Sequence, residues 1–128
     1  MSPEVKPIPT LVDGVRICPI ANTLEVVGDK WSLLVVRDLL HGKQTFGELL
    51  DSPERIPTNL LADRLRRLEE AGIVERSAYQ ERPVRHAYTL TRKGEALGEV
   101  LLALVKWGRK HIPGTQVLKP PPARARKD

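Results

Sequence analysis

The sequence predicts a mainly α-helical domain with one small β-hairpin, an α+β fold, and three observations predict it. Apolar residues recur at helical spacing in five segments between residues 17 and 112. Capping residues, glycines and prolines separate those segments at short intervals. Only after Gly72 does a period-two pattern set in, and it lasts long enough for two strands.

The elements follow in chain order. Residues 1–16 contain Pro3, Pro7 and Pro9 and show no periodicity, so they read as an arm. Cys18-Pro19 starts a first helix, with proline at the first helical position, where its missing N–H does no harm. Ile20, Leu24 and Val27 form one stripe on it. Gly28-Asp29 interrupts the pattern, and Asp29 caps a second helix carrying Trp31, Leu34 and Val35. His41-Gly42 ends that helix. Thr45-Phe46-Gly47-Glu48 fits a capping box for a short third helix, stopped near Ser52-Pro53.

The fourth helix has Pro57 in its first turn and Gly72 as its stop. Leu61, Leu65 and Leu68 make its buried stripe, with Leu60 at the edge. Asn59, Asp63, Arg66 and Glu70 fall on the opposite face, flanked by Thr58, Ala62 and Arg67. Ile73 to Arg76 and Arg85 to Leu90 are the two strands, with the tip around Gln80 to Pro83. Thr91 caps a single last helix through about Ile112. Its apolar residues cover most of its girth, and such a helix wants two neighbours, one of them a second copy of the chain. Residues 113–128 end in KPPPARARKD, which reads as a disordered basic tail.

Composition narrows the function classes. The 128 residues suffice for one domain with a modest core, and 41% hydrophobic with 29% charged residues is ordinary for a globular chain. No run approaches the roughly 20 apolar residues of a membrane span, and no secretory signal pattern opens the chain. One cysteine excludes an intrachain disulfide framework and fits a reducing compartment, so the expected location is the cytoplasm. Net charge is +5, a balance that favours anionic partners. Between Arg82 and Lys93 there are basic residues and no acidic ones. His41, His86 and His111 stand on separate elements without metal-ligand spacing, and no phosphate-binding glycine loop or Ser/His/Asp grouping occurs. No cofactor, metal or enzymatic activity is expected.

A helix, a short capped helix, a helix with a polar outer face and then a basic-tipped hairpin is the order of a winged helix-turn-helix. Such a third element can lie in the major groove of double-stranded DNA, where Asn and Arg read base edges. Thr58, Asn59, Ala62, Asp63, Arg66 and Arg67 are the candidates there. Arg82 and Arg85 of the wing can reach flanking phosphates or the minor groove. A small helical domain with a merely solvated charged face fits the periodicity as well. A protein-binding winged helix would need an apolar outer patch, and an RNA binder more exposed aromatics than Tyr79 and Tyr88.

CPIANTLEVVGDKWSLLVVRDLL, TFGEL, LADRLRRLEEAGIVER, AYTLTRKGEAL and VKWGRKH occur in that order from Cys18 to His111. Over about three quarters of its length the chain thereby resembles the HxlR family of bacterial transcription regulators, relatives of the MarR-type winged-helix proteins. The resemblance implies a homodimer, paired through its first and last helices, that binds an imperfect inverted repeat in promoters. Ile20, Leu24, Leu101, Leu104 and Trp107 then become the expected dimer contacts. The recognition helix falls on Pro57 to Glu70 and the wing on Ile73 to Leu90. One departure is Pro57 where the family often has serine, which removes a hydroxyl cap and an amide that could meet phosphate.

Cys18 has two readings. At a helix N-terminus near Arg16 its thiol is a candidate redox sensor, and some members of the resembled family sense oxidants or electrophiles through a cysteine here. Otherwise it is a small, partly buried residue packed near the dimer contact, which is the favoured reading. The expected function is a dimeric, sequence-specific transcription regulator, with an oxidant or small-molecule effector left open.

Overall fold

The computed structural model describes residues 11–12 and 15–117. Its elements are β1 (Leu11–Val12), β2 (Val15–Arg16), α1 (Pro19–Val27), α2 (Ser32–Leu40), α3 (Phe46–Leu50), α4 (Thr58–Glu70), β3 (Val74–Glu81), β4 (Val84–Leu90), α5 (Arg92–Glu95) and α6 (Gly98–His111). The expected irregular arm carries a two-residue antiparallel ladder, Leu11 opposite Arg16 and Val12 opposite Val15. The remainder of that arm over residues 1–10, and the basic tail over residues 118–128, lie outside the described residues.

Local chemistry sets most helix ends. Pro19 occupies the first turn of α1, with Cys18 extended at the cap position. The Asp29 carboxylate accepts the amides of Trp31 and Ser32 at 3.0 and 3.1 Å, which serves the otherwise unpaired start of α2. Thr45 and Glu48 complete the capping box of α3 in both directions. Pro57 stands just outside α4 in an extended conformation, so the helix begins at Thr58 with no side-chain cap.

The other end of α4 closes as a Schellman motif. The Ile73 amide donates to the Leu68 carbonyl at 2.9 Å and the Gly72 amide to that of Glu69 at 3.0 Å. Gly72 sits at φ +75°, a conformation glycine adopts without the penalty a Cβ would bring. Thr91 and Lys93 cover this end from the far side of the hairpin, donating to the carbonyls of Gly72 at 2.6 Å and Ala71 at 2.7 Å.

The apolar core joins Val35, Val36 and Leu39 of α2 with Leu49 of α3, Leu61, Leu65 and Leu68 of α4, and Ile73 and Val74 at the hairpin base. Three sequence expectations change here. The α1 stripe does not seat as a whole, because Val27 is buried while Ile20 is 71% and Leu24 59% exposed. On α2 the buried set is Val35, Val36 and Leu39, with Trp31 half-buried beside it. The last helix is two helices. Thr91 caps only α5, and the Leu97 amide tightens to the Gly94 carbonyl before α6 begins at Gly98. Glycines four residues apart weaken the helix, and a Cβ on Gly94 would stand 2.2 Å from the Ile73 carbonyl oxygen.

β3 and β4 pair antiparallel from Val74 opposite Leu90 to Glu81 opposite Val84, with an irregularity between Ala78 and Gln80. The strands run longer than expected, leaving Arg82-Pro83 as the tip. The base of β4 gains a third partner in the α2–α3 connection, where Thr45 bridges Ala87 and the Tyr88 amide donates to the Gln44 carbonyl at 2.7 Å.

Candidate nucleic-acid interface

With Leu61, Leu65 and Leu68 buried, α4 turns its other side outward. Thr58, Asn59, Ala62, Arg66 and Arg67 are exposed, and Asp63 is half-buried among them. Asp63 is a hub. Its Oδ1 accepts from Arg66 Nη2 at 2.7 Å, and its Oδ2 meets Arg67 Nε at 3.1 Å and Arg64 Nη1. Arg66 also reaches Glu70 at 3.3 Å. The Arg66 hydrogen bond holds the Asp63 carboxyl below the usual carboxylate range, and Arg66 is pushed up in turn, chiefly by the same bond.

Arg64 points the other way. Its Nε donates to Asp29 Oδ2 at 2.7 Å, so the carboxylate that starts α2 also anchors the middle of α4. Burial would raise the Asp29 carboxyl, but its bonds from the Ser32 hydroxyl, Arg64 and the Trp31 and Ser32 amides bring it down to about 2. A second clamp fixes the loop before α4. Arg37 donates to both oxygens of Glu54 at 2.7 and 2.9 Å and to Asp38 at 3.0 Å. The Arg37 bonds bring the Glu54 carboxyl to about 2. Sequence reasoning missed Arg37, Glu54 and the double use of Asp29. Their partners lie 17 and 35 residues away, beyond any local periodicity.

Arg82 and Arg85 are exposed at the far end of the hairpin, Arg82 at its tip and Arg85 opposite Gln80. Arg76 at the hairpin base stands 3.8 Å from Glu69 of α4. Cys18 is exposed in the single chain, just before α1. Of the expected dimer contacts, Ile20, Leu24, Leu104 and Trp107 are exposed, whereas Leu101 packs partly against the chain's own core. A cleft of about 440 Å³ between α2 and β4 is lined by Leu39, Leu40, Lys43, Gln44, Tyr88 and Leu90, among others. Among the described residues no three His, Cys, Asp or Glu side chains group as a metal site, and no helix is long and apolar enough to cross a membrane.

A short helix and a polar-faced helix seated on α2, followed by a two-stranded hairpin, make a winged helix-turn-helix. The HxlR-like helix-turn-helix family matches residues 26–116, and the chain belongs to that family. It is 42% identical over 93 residues to the HTH-type transcriptional regulator sll1512 of Synechocystis sp., covering 73% of this chain and 69% of the relative. Its match spans 59% of the length of related mycobacterial regulators. Among solved structures, PA1607 superposes with a TM-score of 0.71 at 38% identity, covering 80% of this chain and 72% of that one. The redox regulator HypR in its oxidised form superposes with 0.66 at 32% identity, covering 79% and 100%. The chain is a transcriptional regulator of the helix-turn-helix type, and its family and relatives are regulators rather than enzymes.

Proposed function

We propose that the protein binds an imperfect inverted repeat in double-stranded DNA as a homodimer. The observation that carries this reading is the outer face of α4, where polar Thr58, Asn59, Arg66 and Arg67 are exposed together with Ala62, on a helix held from behind by three buried leucines. In the major groove Asn59 pairs with adenine and Arg66 with guanine, each a bidentate contact. Arg82 and Arg85 neutralise flanking phosphates or enter the minor groove. Dimerisation joins α1 and α6 of two chains through Ile20, Leu24, Leu104 and Trp107, with Leu101 at the edge. Two recognition helices in a dimer put the half-sites roughly 10 bp apart or a small multiple of that.

Selection from a random duplex library, with the affinity of the enriched sequence followed against salt, tests the reading. A two-fold-symmetric consensus that weakens steeply with salt is the expected result. Asn59→Ala relaxes preference at one base pair by about 1–3 kcal/mol. Arg82→Ala weakens binding to every sequence and lowers the salt slope by about one. Equal loss on all sequences for Asn59→Ala would remove α4 from the groove. No consensus at all would turn attention to a protein partner.

A second reading concerns control. The exposed Cys18 thiol at the start of α1, beside the proposed dimer contacts, and the likeness to a redox regulator favour an oxidant as effector. Mild oxidation then changes DNA affinity in the wild type and not in Cys18→Ser. A response that survives in Cys18→Ser removes Cys18 as the sensor, and no response in the wild type leaves a small-molecule effector instead.

A further inference from the structure

α4 carries three arginines and three acids, so it lacks the net positive charge of an electrostatic clamp. The arrangement of those charges is specific. Arg64 has a side chain only 14% exposed and is spent between Asp29 and Asp63. The two arginines that face outward, Arg66 and Arg67, are both tied to the one carboxylate of Asp63, at 2.7 and 3.1 Å.

We propose that Asp63 is a specificity-determining residue of α4, orienting Arg66 and Arg67 toward base edges while withholding them from phosphates, with Arg64 as the positioning residue that fixes Asp63 against Asp29. The inference rests on α4 being the groove-reading helix. Its physical basis is the difference between the two kinds of acceptor. A phosphate approaching Arg66 or Arg67 is an anion that must displace or sit beside Asp63, with Glu70 adding to the repulsion. A guanine edge presents N7 and O6 as neutral acceptors, and it accepts from donors the carboxylate leaves free without bringing a second negative charge. A guanidinium already held in one orientation also loses less rotamer freedom on meeting a base. Asp63 thereby weakens non-specific binding more than specific binding.

The test compares wild type, Asp63→Asn and Asp63→Glu on the selected sequence and on a random duplex, each across a salt series, with melting temperature as the folding control. Asp63→Asn is near isosteric but uncharged. It is expected to bind random duplex about tenfold more tightly, with the salt slope steeper by about one as a freed arginine neutralises one more phosphate. The ratio of specific to random affinity falls about tenfold. Asp63→Glu keeps the charge but moves it by one methylene, so the slope stays at the wild-type value while the ratio falls. An unchanged slope and ratio in Asp63→Asn, with only a lower melting temperature, would reduce Asp63 to a structural ion pair and overturn the proposal. A steeper slope in Asp63→Glu as well would remove charge as the cause and overturn it too. If wild type itself shows no sequence preference, the groove reading has failed and not this refinement of it.

Discussion

α4 and α6 are similar in length and differ in how the chain uses them. In α4, Leu61, Leu65 and Leu68 are essentially inaccessible to solvent, and the remaining surface is mostly polar or charged. In α6, seven of fourteen residues are apolar, yet none is buried, and Trp107 is 60% and Leu102 53% exposed. The less apolar helix is the better buried one. Burial follows from having neighbours on the right side, and α4 has α2, α3 and the hairpin base around it. α6 meets the core through Leu101, with Leu97 just before its start, and most of its apolar surface stays exposed in the single chain.

The contrast yields four measurements. The largest effect is expected at α4, where Leu61→Ala removes a fully buried side chain from a closed core and costs about 2–5 kcal/mol in urea unfolding. A loss below about 1 kcal/mol would show the core collapsing onto the site, and α4 would then be no better enclosed than α6. Leu104→Glu strikes the open helix. It should leave the circular dichroism of the chain unchanged but weaken self-association at least about a hundredfold, since a charge would be buried unpaired in the contact. Sedimentation equilibrium reads this directly, and unchanged association would move the proposed dimer contact off α6.

The third measurement concerns the ion pairs that hold α4 and the loop before it. Asp29 and Glu54 have folded-state values of about 2 against ordinary values of 3.8 and 4.5. Because the folded values are the lower ones, their stabilisation is complete above the ordinary values and is lost as pH falls through about 4 toward 2. Unfolding midpoints followed from pH 6 to pH 2 should decline across that window, and Asp29→Asn should flatten part of the decline. An equally steep decline in Asp29→Asn would remove Asp29 from the anchoring of α4. The smallest effect is Gly98→Ala, whose new Cβ meets only Leu40 Cδ1 at 3.9 Å. It should raise stability by about 0.5–1 kcal/mol by favouring a continuous α5–α6 helix. Gly94→Ala destabilises instead, because its Cβ would collide with the Ile73 carbonyl.

Much of this architecture is legible residue by residue. The capping box at Thr45 and Glu48, the leucine stripe of α4, the stop at Gly72 and the alternation in β4 all come from contacts within a few residues, where side-chain type and spacing nearly dictate the outcome. The outward placement of Asn59, Arg66 and Arg67 follows from the same stripe. What escapes such reading depends on distant partners. Nothing local tells that Arg64 turns inward to Asp29, or that Arg37 grips Glu54. The break between α5 and α6 escapes for a similar reason: its glycines are visible, but the carbonyl of Ile73 that Gly94 must clear is twenty-one positions earlier.

By itself, the sequence determined which segments are helices, where most of them stop and which side of α4 is polar, since helix propensity, capping and amphipathic period act over one or two turns. Only the tertiary structure decided which apolar stripes are covered and which charges are paired. α1 and α4 both present a regular stripe of aliphatic residues, yet the stripe of α4 is buried throughout while that of α1 is buried only at Val27. Asp63 and Arg66 are neighbours in any helix, but the inward turn of Arg64 exists only because the fold brings Asp29 alongside α4. Burial and long-range ion pairing are properties of the packed arrangement, and no local period encodes them.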